Sequence, residues 1–330
     1  MTSNNTSYLS QECPTLGYHT ADVAVSVLYL LMFPVALLLN AVAGCVSLHL
    51  RSTSTFIVYL KNLVAADLLL TLSIPLMVAS TLPGATVELK MVACRYSTVI
   101  LYSCLYTSIS LMGLISLDRF FKIVRPCGSS LGQNLVFSRV MCSLVWVVIF
   151  GSTTIPTIIL TDQDPGNTTG DFCMSLKGPA GLTLHQFVIL FMEVLFWFVS
   201  ALVVVCYICI TNKVLQSFRN SGSNNNQGKK KTKLRVFLIL LVFFVCFVPL
   251  HMLRIPFHTM YELSHGSVCA DDWMKIANNF ALWLSTTNVC LDPLLYIYLC
   301  REFKERLVDM MKVRGICTQL NAGINEDTSQ

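Results

Sequence analysis

Charged residues break this chain into a few long apolar runs. No Lys or Arg precedes Arg51, and from Val23 to Leu50 there is no acid either. About 20 apolar residues are enough to cross a bilayer as a helix. Seven segments reach that length, at 24–48, 56–80, 92–121, 139–161, 184–211, 236–258 and 274–299. They do not alternate apolar with polar, and they are too long for barrel strands. In hydrocarbon the backbone must satisfy its own hydrogen bonds, so helices are the natural form. The other reading is a soluble core of buried helices, but seven such runs in 330 residues leave too little polar chain to cover them. The expected fold is an all-α membrane protein, a seven-transmembrane helix bundle with a short amphipathic eighth helix. The expected organisation is an extracellular N-terminus over 1–23, the bundle over 24–299, the eighth helix over 300–315 and a cytoplasmic tail over 316–330.

Composition sharpens this. Hydrophobic residues make up 54% of the chain and charged residues only 12%, against about 25% charged in soluble domains. The net charge of +5 matters less than where it lies. Arg51 falls in the first connection and Lys122, Arg125 and Arg139 in the third. Lys213, Arg219 and the run Lys229, Lys230, Lys231, Lys233 and Arg235 fall in the fifth, and Arg301, Lys304 and Arg306 open the tail. Basic loops face the cytoplasm, so the N-terminus is expected outside and the C-terminus inside, in the plasma membrane. The start of the chain lacks a basic region, a short apolar run and a cleavage site, so the first helix is expected to serve as its own insertion signal. Asn4, Asn5 and Asn167 each open an N-x-Ser/Thr glycosylation motif on the expected outer side. The stretch from Ser221 to Lys231 reads as a flexible polar loop ending in a basic run, placed to meet anionic lipid headgroups or simply solvated.

Fourteen cysteines sort by depth. Eight lie in or at the ends of spans and read as packing residues. Cys127 and Cys317 are expected in the reducing cytoplasm. Cys13, Cys94, Cys173 and Cys269 fall outside, where two bridges could form in any of three pairings. None has zinc-site spacing.

Ionisable residues inside spans are costly and mark function. Asp67 lies in the second span, Glu193 in the fifth and Asp292 in the seventh, while Asp118 and Arg119 close the third. The bland alternative for Asp67 and Asp292 is a polar contact that only holds helices together. Glu193 either faces the bundle or lies shallow enough to reach water. Pro249 and Pro293 each remove a backbone hydrogen bond inside a span and are expected to kink it, either statically or as a pivot.

Several motifs then carry a resemblance. LDRF at 117–120, DPLLY at 292–296, and Asn40, Asp67 and Trp146 resemble the signature positions of rhodopsin-like G-protein-coupled receptors. CFVP at 246–249 is similar to their sixth-helix motif, with Phe247 where Trp is usual, and EFKERL at 302–307 resembles their eighth helix. Val199 stands where most of the class has a fifth-helix proline. FIVYLKN (56–62), SLKGPAGLTLHQF (175–187), FFVCFVPLHMLRIPF (243–257) and NVCLDPLLYIYLC (288–300) resemble the purinergic nucleotide receptors, in the branch answering ADP and UDP-sugars.

That resemblance implies pairing of Cys94 with Cys173 and Cys13 with Cys269, and palmitoylation of Cys317. It implies ligand contacts at Arg254, Lys177, Tyr102 and His185, and the candidate site taken around them also holds Tyr106, Phe257, Lys275 and Asn278. Arg binds phosphate bidentately and Tyr stacks on flat rings, so an anionic headgroup on a flat or greasy body is the expected ligand. Bland readings are loop solvation for Lys177 and an ion pair with a local acid for Arg254. Two departures weaken phosphate and base contacts: Asn278 and Asn279 replace a Lys and Glu, and Ile189 replaces an Asn. A nucleotide or nucleotide sugar is therefore expected, with a lysophospholipid or no agonist as the alternative.

For the switch, the resemblance implies Arg119 parting from Asp118 to join Tyr207 and Tyr296 as the sixth helix pivots near Phe247 and Pro249. A sodium ion is implied near Asp67, Ser108 and Asn288, beside Asp292, and no other cofactor is expected. Implied partners are a heterotrimeric G protein of the inhibitory type, arrestin, receptor kinases and membrane lipid, with no nucleic acid. A transporter would show repeated halves, which are not evident. Neither HExxH, GxSxG nor a Gly-rich phosphate loop occurs, so an enzyme is not expected. A constitutive or decoy receptor would keep the fold and signal without ligand.

Overall fold

The computed structural model describes residues 16–50, 54–124, 134–164, 172–220, 226–263 and 268–312. Seven helices are long and apolar enough to cross a membrane. They are α1 (Leu16–His49), α2 (Thr55–Thr81), α3 (Val87–Val124), α4 (Leu135–Ile159), α5 (Pro179–Asn220), α6 (Asn226–Leu263) and α7 (Val268–Thr286, resuming as Asn288–Leu299). A shorter helix, α8, covers 301–312. No strand occurs among the described residues. The bundle is an all-α membrane fold with an eighth helix, as the apolar pattern requires.

Local chemistry explains the boundaries. Ser54 caps α2 by accepting from the Ile57 N–H, and Asn134 caps α4 by accepting from Val136 and Phe137. Gly84 turns the chain between α2 and α3 at φ 89°, a conformation costly for other residues. Two π-helical turns, Ala93–Ser97 and Val147–Thr154, have no signature in the apolar pattern. Each inserts an extra residue in a helical turn.

Large apolar side chains such as Leu31, Leu48 and Phe198 face outwards, as a lipid-facing surface does. The core runs down the bundle axis. α3 is its centre, packed on α2, α4 and α5, and Leu101, Leu105, Ile109 and Leu111 are essentially inaccessible. Lipid is as apolar as leucine, so close packing and polar contacts hold such helices together. Gly113 allows a close approach of α3 to α5. A Cβ built there would lie 2.9 Å from Cγ1 of Val199 on α5.

Neither span proline ends its helix. α6 runs through Pro249 from Asn226 to Leu263 without interruption. The break in α7 falls at Thr287 rather than at Pro293, whose helix continues to Leu299. Pro293 lacks the N–H that would bond the Val289 carbonyl. The side-chain amide of Asn40 donates to that carbonyl instead, at 2.7 Å.

Candidate functional site

One end of the bundle carries the disulfide Cys94–Cys173, with Cα atoms 5.4 Å apart, pinning the loop before α5 to the start of α3. This is the pairing that the resemblance implied. At this end, α3, α5 and α6 bring together Tyr102, Tyr106, Glu193, Phe196, His251 and Arg254. Arg254 lies 4.9 Å from the Tyr102 ring centre and 5.9 Å from that of Tyr106, both within cation–π range. Its Nη1 donates to the Tyr106 hydroxyl.

A directional chain continues from there. His251 bonds the Phe247 carbonyl through Nδ1 at 2.8 Å, which makes Nδ1 the protonated nitrogen and Nε2 the acceptor. The Tyr106 hydroxyl, 3.0 Å away, then donates to Nε2. Phe196 stacks on the imidazole at 3.6 Å between ring centres. The path thus leads from a cation, through two buried side chains, to the backbone of Phe247 on α6. His251 and Phe196 were absent from the sequence-derived set. The available signal was a lone His in an apolar run, one helical turn from Phe247 and on the same face.

The other expected ligand residues separate into groups. Lys177 Nζ donates to Nδ1 of His185 at 3.0 Å, joining loop to α5. Lys275 and Asn278 are partly buried on α7. Their neighbour Asn279 donates to Asp22 of α1 at 2.9 Å, so it braces α7 against α1. Glu193 faces the bundle rather than water, with its Oε1 3.9 Å from Arg254 Nη1. The Phe257, Cys269, Lys229, Lys230, Lys231, Lys233 and Arg235 side chains lie outside the described residues, as do Cys13, Asn4, Asn5, Asn167, Arg125, Cys127 and Cys317.

Midway along the bundle, Asp67 is fully buried. It accepts from Ser108 at 3.1 Å and from the Tyr296 hydroxyl at 3.1 Å. Asn288 donates to Asp292 at 2.7 Å instead of joining Asp67. Its amide oxygen, and that of Asn40, are buried without a partner. A buried carboxyl and unpartnered amide oxygens are ligands of the type that hard cations take.

At the opposite end the expected pairing of Asp118 with Arg119 is replaced. Asp118 accepts from Lys122 at 2.8 Å and from Thr55, while the Arg119 guanidinium lies 4.2 Å from the Phe56 ring centre. Adjacent helical residues point apart, whereas residues four apart share a face. A cavity of about 60 Å³ beside them is lined by Tyr207, Tyr296, Ile239, Val242 and Phe243, among others. Tyr207 and Tyr296, expected to receive Arg119, therefore meet across a void.

Seven membrane-crossing helices, a bridge from the third to the loop before the fifth, and buried polar positions along the axis define a seven-helix receptor. Residues 35–296 match the profile of the 7 transmembrane receptor (rhodopsin family). Human purinoceptor 13 is 38% identical over 299 residues, covering 90% of this chain and 84% of that one. Bovine purinoceptor 14 is 35% identical over 302 residues, covering 92% and 89%. Mouse G-protein coupled receptor 87 is 35% identical over 314 residues, covering 95% and 87%. The chain belongs to the rhodopsin family of seven-transmembrane receptors and, within it, to the purinoceptors. It is accordingly a multi-pass plasma-membrane receptor that couples to a G protein and takes a small-molecule ligand, and it is not an enzyme.

Proposed function

We propose that this receptor is activated by an extracellular nucleotide or nucleotide sugar and lowers cyclic AMP through an inhibitory G protein. The observation that carries the reading is Arg254, a guanidinium only 12% exposed that lies over the Tyr102 ring at the disulfide end. It offers bidentate donors to phosphate, and the tyrosine faces offer a stacking surface. The purinoceptor relatives are by name receptors for purines, which favours a nucleotide over a lysophospholipid. The disulfide end faces outside in this reading, and the basic loops face the cytoplasm.

An anion at Arg254 draws the guanidinium from Tyr106 and so disturbs the chain through His251 to Phe247. Two packings of the bundle differ in that chain, and the ligand shifts their populations. At the cytoplasmic end Arg119 leaves Phe56 and closes the gap between Tyr207 and Tyr296. A sodium ion at Asp67, Ser108 and Asn288 would hold the resting packing. Arrestin and receptor kinases are the further partners of the active state. Glycans on Asn4, Asn5 and Asn167, a Cys13–Cys269 bridge and a palmitate on Cys317 complete the proposal.

The test is inhibition of cyclic AMP in transfected cells by ADP and UDP-glucose, comparing the receptor with Arg254→Ala. Loss of a charge-assisted contact of about 1.5–3 kcal/mol lowers potency roughly tenfold to a hundredfold. Unchanged potency in Arg254→Ala, or a response to lysophosphatidylserine with nucleotides silent, overturns the reading.

A further inference from the structure

Glu193 is the acid that the pocket chemistry leaves unused. Its side chain is 10% exposed, and the Trp197 side chain, one turn along α5, is its hydrogen-bonding neighbour. Burial of a carboxylate is unfavourable unless a cation compensates it. The compensating cation is Arg254, whose Nη1 lies 3.9 Å from Oε1. That distance is too long for a hydrogen bond, and Nη1 donates to Tyr106 instead. Glu193 therefore acts on Arg254 through its charge rather than by occupying a guanidinium donor.

We propose that Glu193 is a built-in counter-ion that competes with the ligand's anionic group for Arg254 and so sets which ligands the receptor prefers. The proposal rests on the reading that an anion binds at Arg254. An incoming phosphate meets a cation that already faces a carboxylate 3.9 Å away, and its oxygens are repelled by that carboxylate's charge. The penalty grows with the charge the ligand brings. A terminal phosphate monoester, as in ADP, carries more charge than the esterified diphosphate of a nucleotide sugar. Glu193 thus biases the pocket towards the less charged ligand. It acts on affinity and selectivity without a contact of its own.

The experiment uses the full-length receptor in lipid nanodiscs and in cells. Glu193→Gln keeps the shape and removes the charge, and Glu193→Met is a second neutral variant should the amide disturb folding. Inorganic pyrophosphate binding is read by thermal shift, and ADP and UDP-glucose potency by cyclic AMP. The neutral variants are expected to bind pyrophosphate about tenfold tighter. They should gain more for ADP than for UDP-glucose, and Arg254→Gln in the same chain should abolish the gain. Equal or weaker pyrophosphate binding in both well-folded variants overturns the inference while nucleotide activation through Arg254 still stands. Tighter pyrophosphate binding with nucleotides inert supports the inference and sinks the nucleotide reading. Absence of any anion binding in all forms overturns both.

Discussion

Tyr106→Phe tests the chain through the pocket most directly. The change keeps the ring in a position only 1% exposed and removes one oxygen. That oxygen accepts from Arg254 and donates to His251 Nε2 at 3.0 Å. Its loss deprives Arg254 of a charge-assisted bond worth about 1.5–3 kcal/mol and leaves a buried imidazole acceptor unpaired, at about 1–3 kcal/mol. Arg254 keeps the Tyr102 face and the charge of Glu193, so the lower part of the sum applies, about 3 kcal/mol. Purified receptor in nanodiscs should then melt roughly 4–8 °C lower. The decisive comparison adds His251→Leu alone and with Tyr106→Phe. Apolar replacement of both partners leaves no orphan, so the double change should cost about 1–2 kcal/mol less than the sum of the singles. Additive losses would refute the idea that the two side chains share a hydrogen bond.

Two further outcomes follow from the packing and the far end. Gly113→Ala should destabilise the bundle by about 1–3 kcal/mol, because its Cβ meets the stiff Val199 side chain at 2.9 Å; Val199→Ala in the same chain should restore the melting temperature, and no rescue would point to a cause other than this contact. Arg119→Ala should abolish cyclic AMP inhibition with surface expression retained, since Asp118 is held by Lys122 and Thr55 without it; normal signalling from that variant would contradict the proposed switch.

The seven spans were legible because bilayer thickness imposes a length that 330 residues repeat seven times. The buried position of Asp67 was equally legible, since a lone acid in an apolar run has nowhere cheap to go. What the sequence left open were choices among partners. Asp118 offered Arg119 next to it and Lys122 one turn on, and helical geometry chose the second. Glu193 could face water or the bundle, and only the rotation of α5 against α6 decides that. Asn288 prefers Asp292, four residues along its own helix, to Asp67 across the bundle. The π-helical turns over 93–97 and 147–154 escaped because one extra residue in a turn leaves the apolar character unchanged.

The two halves of α6 are held in unlike ways. Near the disulfide it is fastened through Arg254 and His251 to α3, and through the Cys246 carbonyl, which accepts from Ser285, to α7. Below that, residues 237–245 are all apolar, and a cavity of about 60 Å³ lies against Ile239, Val242 and Phe243. Swinging that half outward breaks none of these side-chain hydrogen bonds and exchanges contact with apolar protein for contact with equally apolar acyl chains. The resting balance of this receptor should therefore depend partly on the bilayer itself. Thickness, sterol content and lateral pressure weigh on α6 directly, so the same chain and ligand should give different basal tone in membranes of different composition.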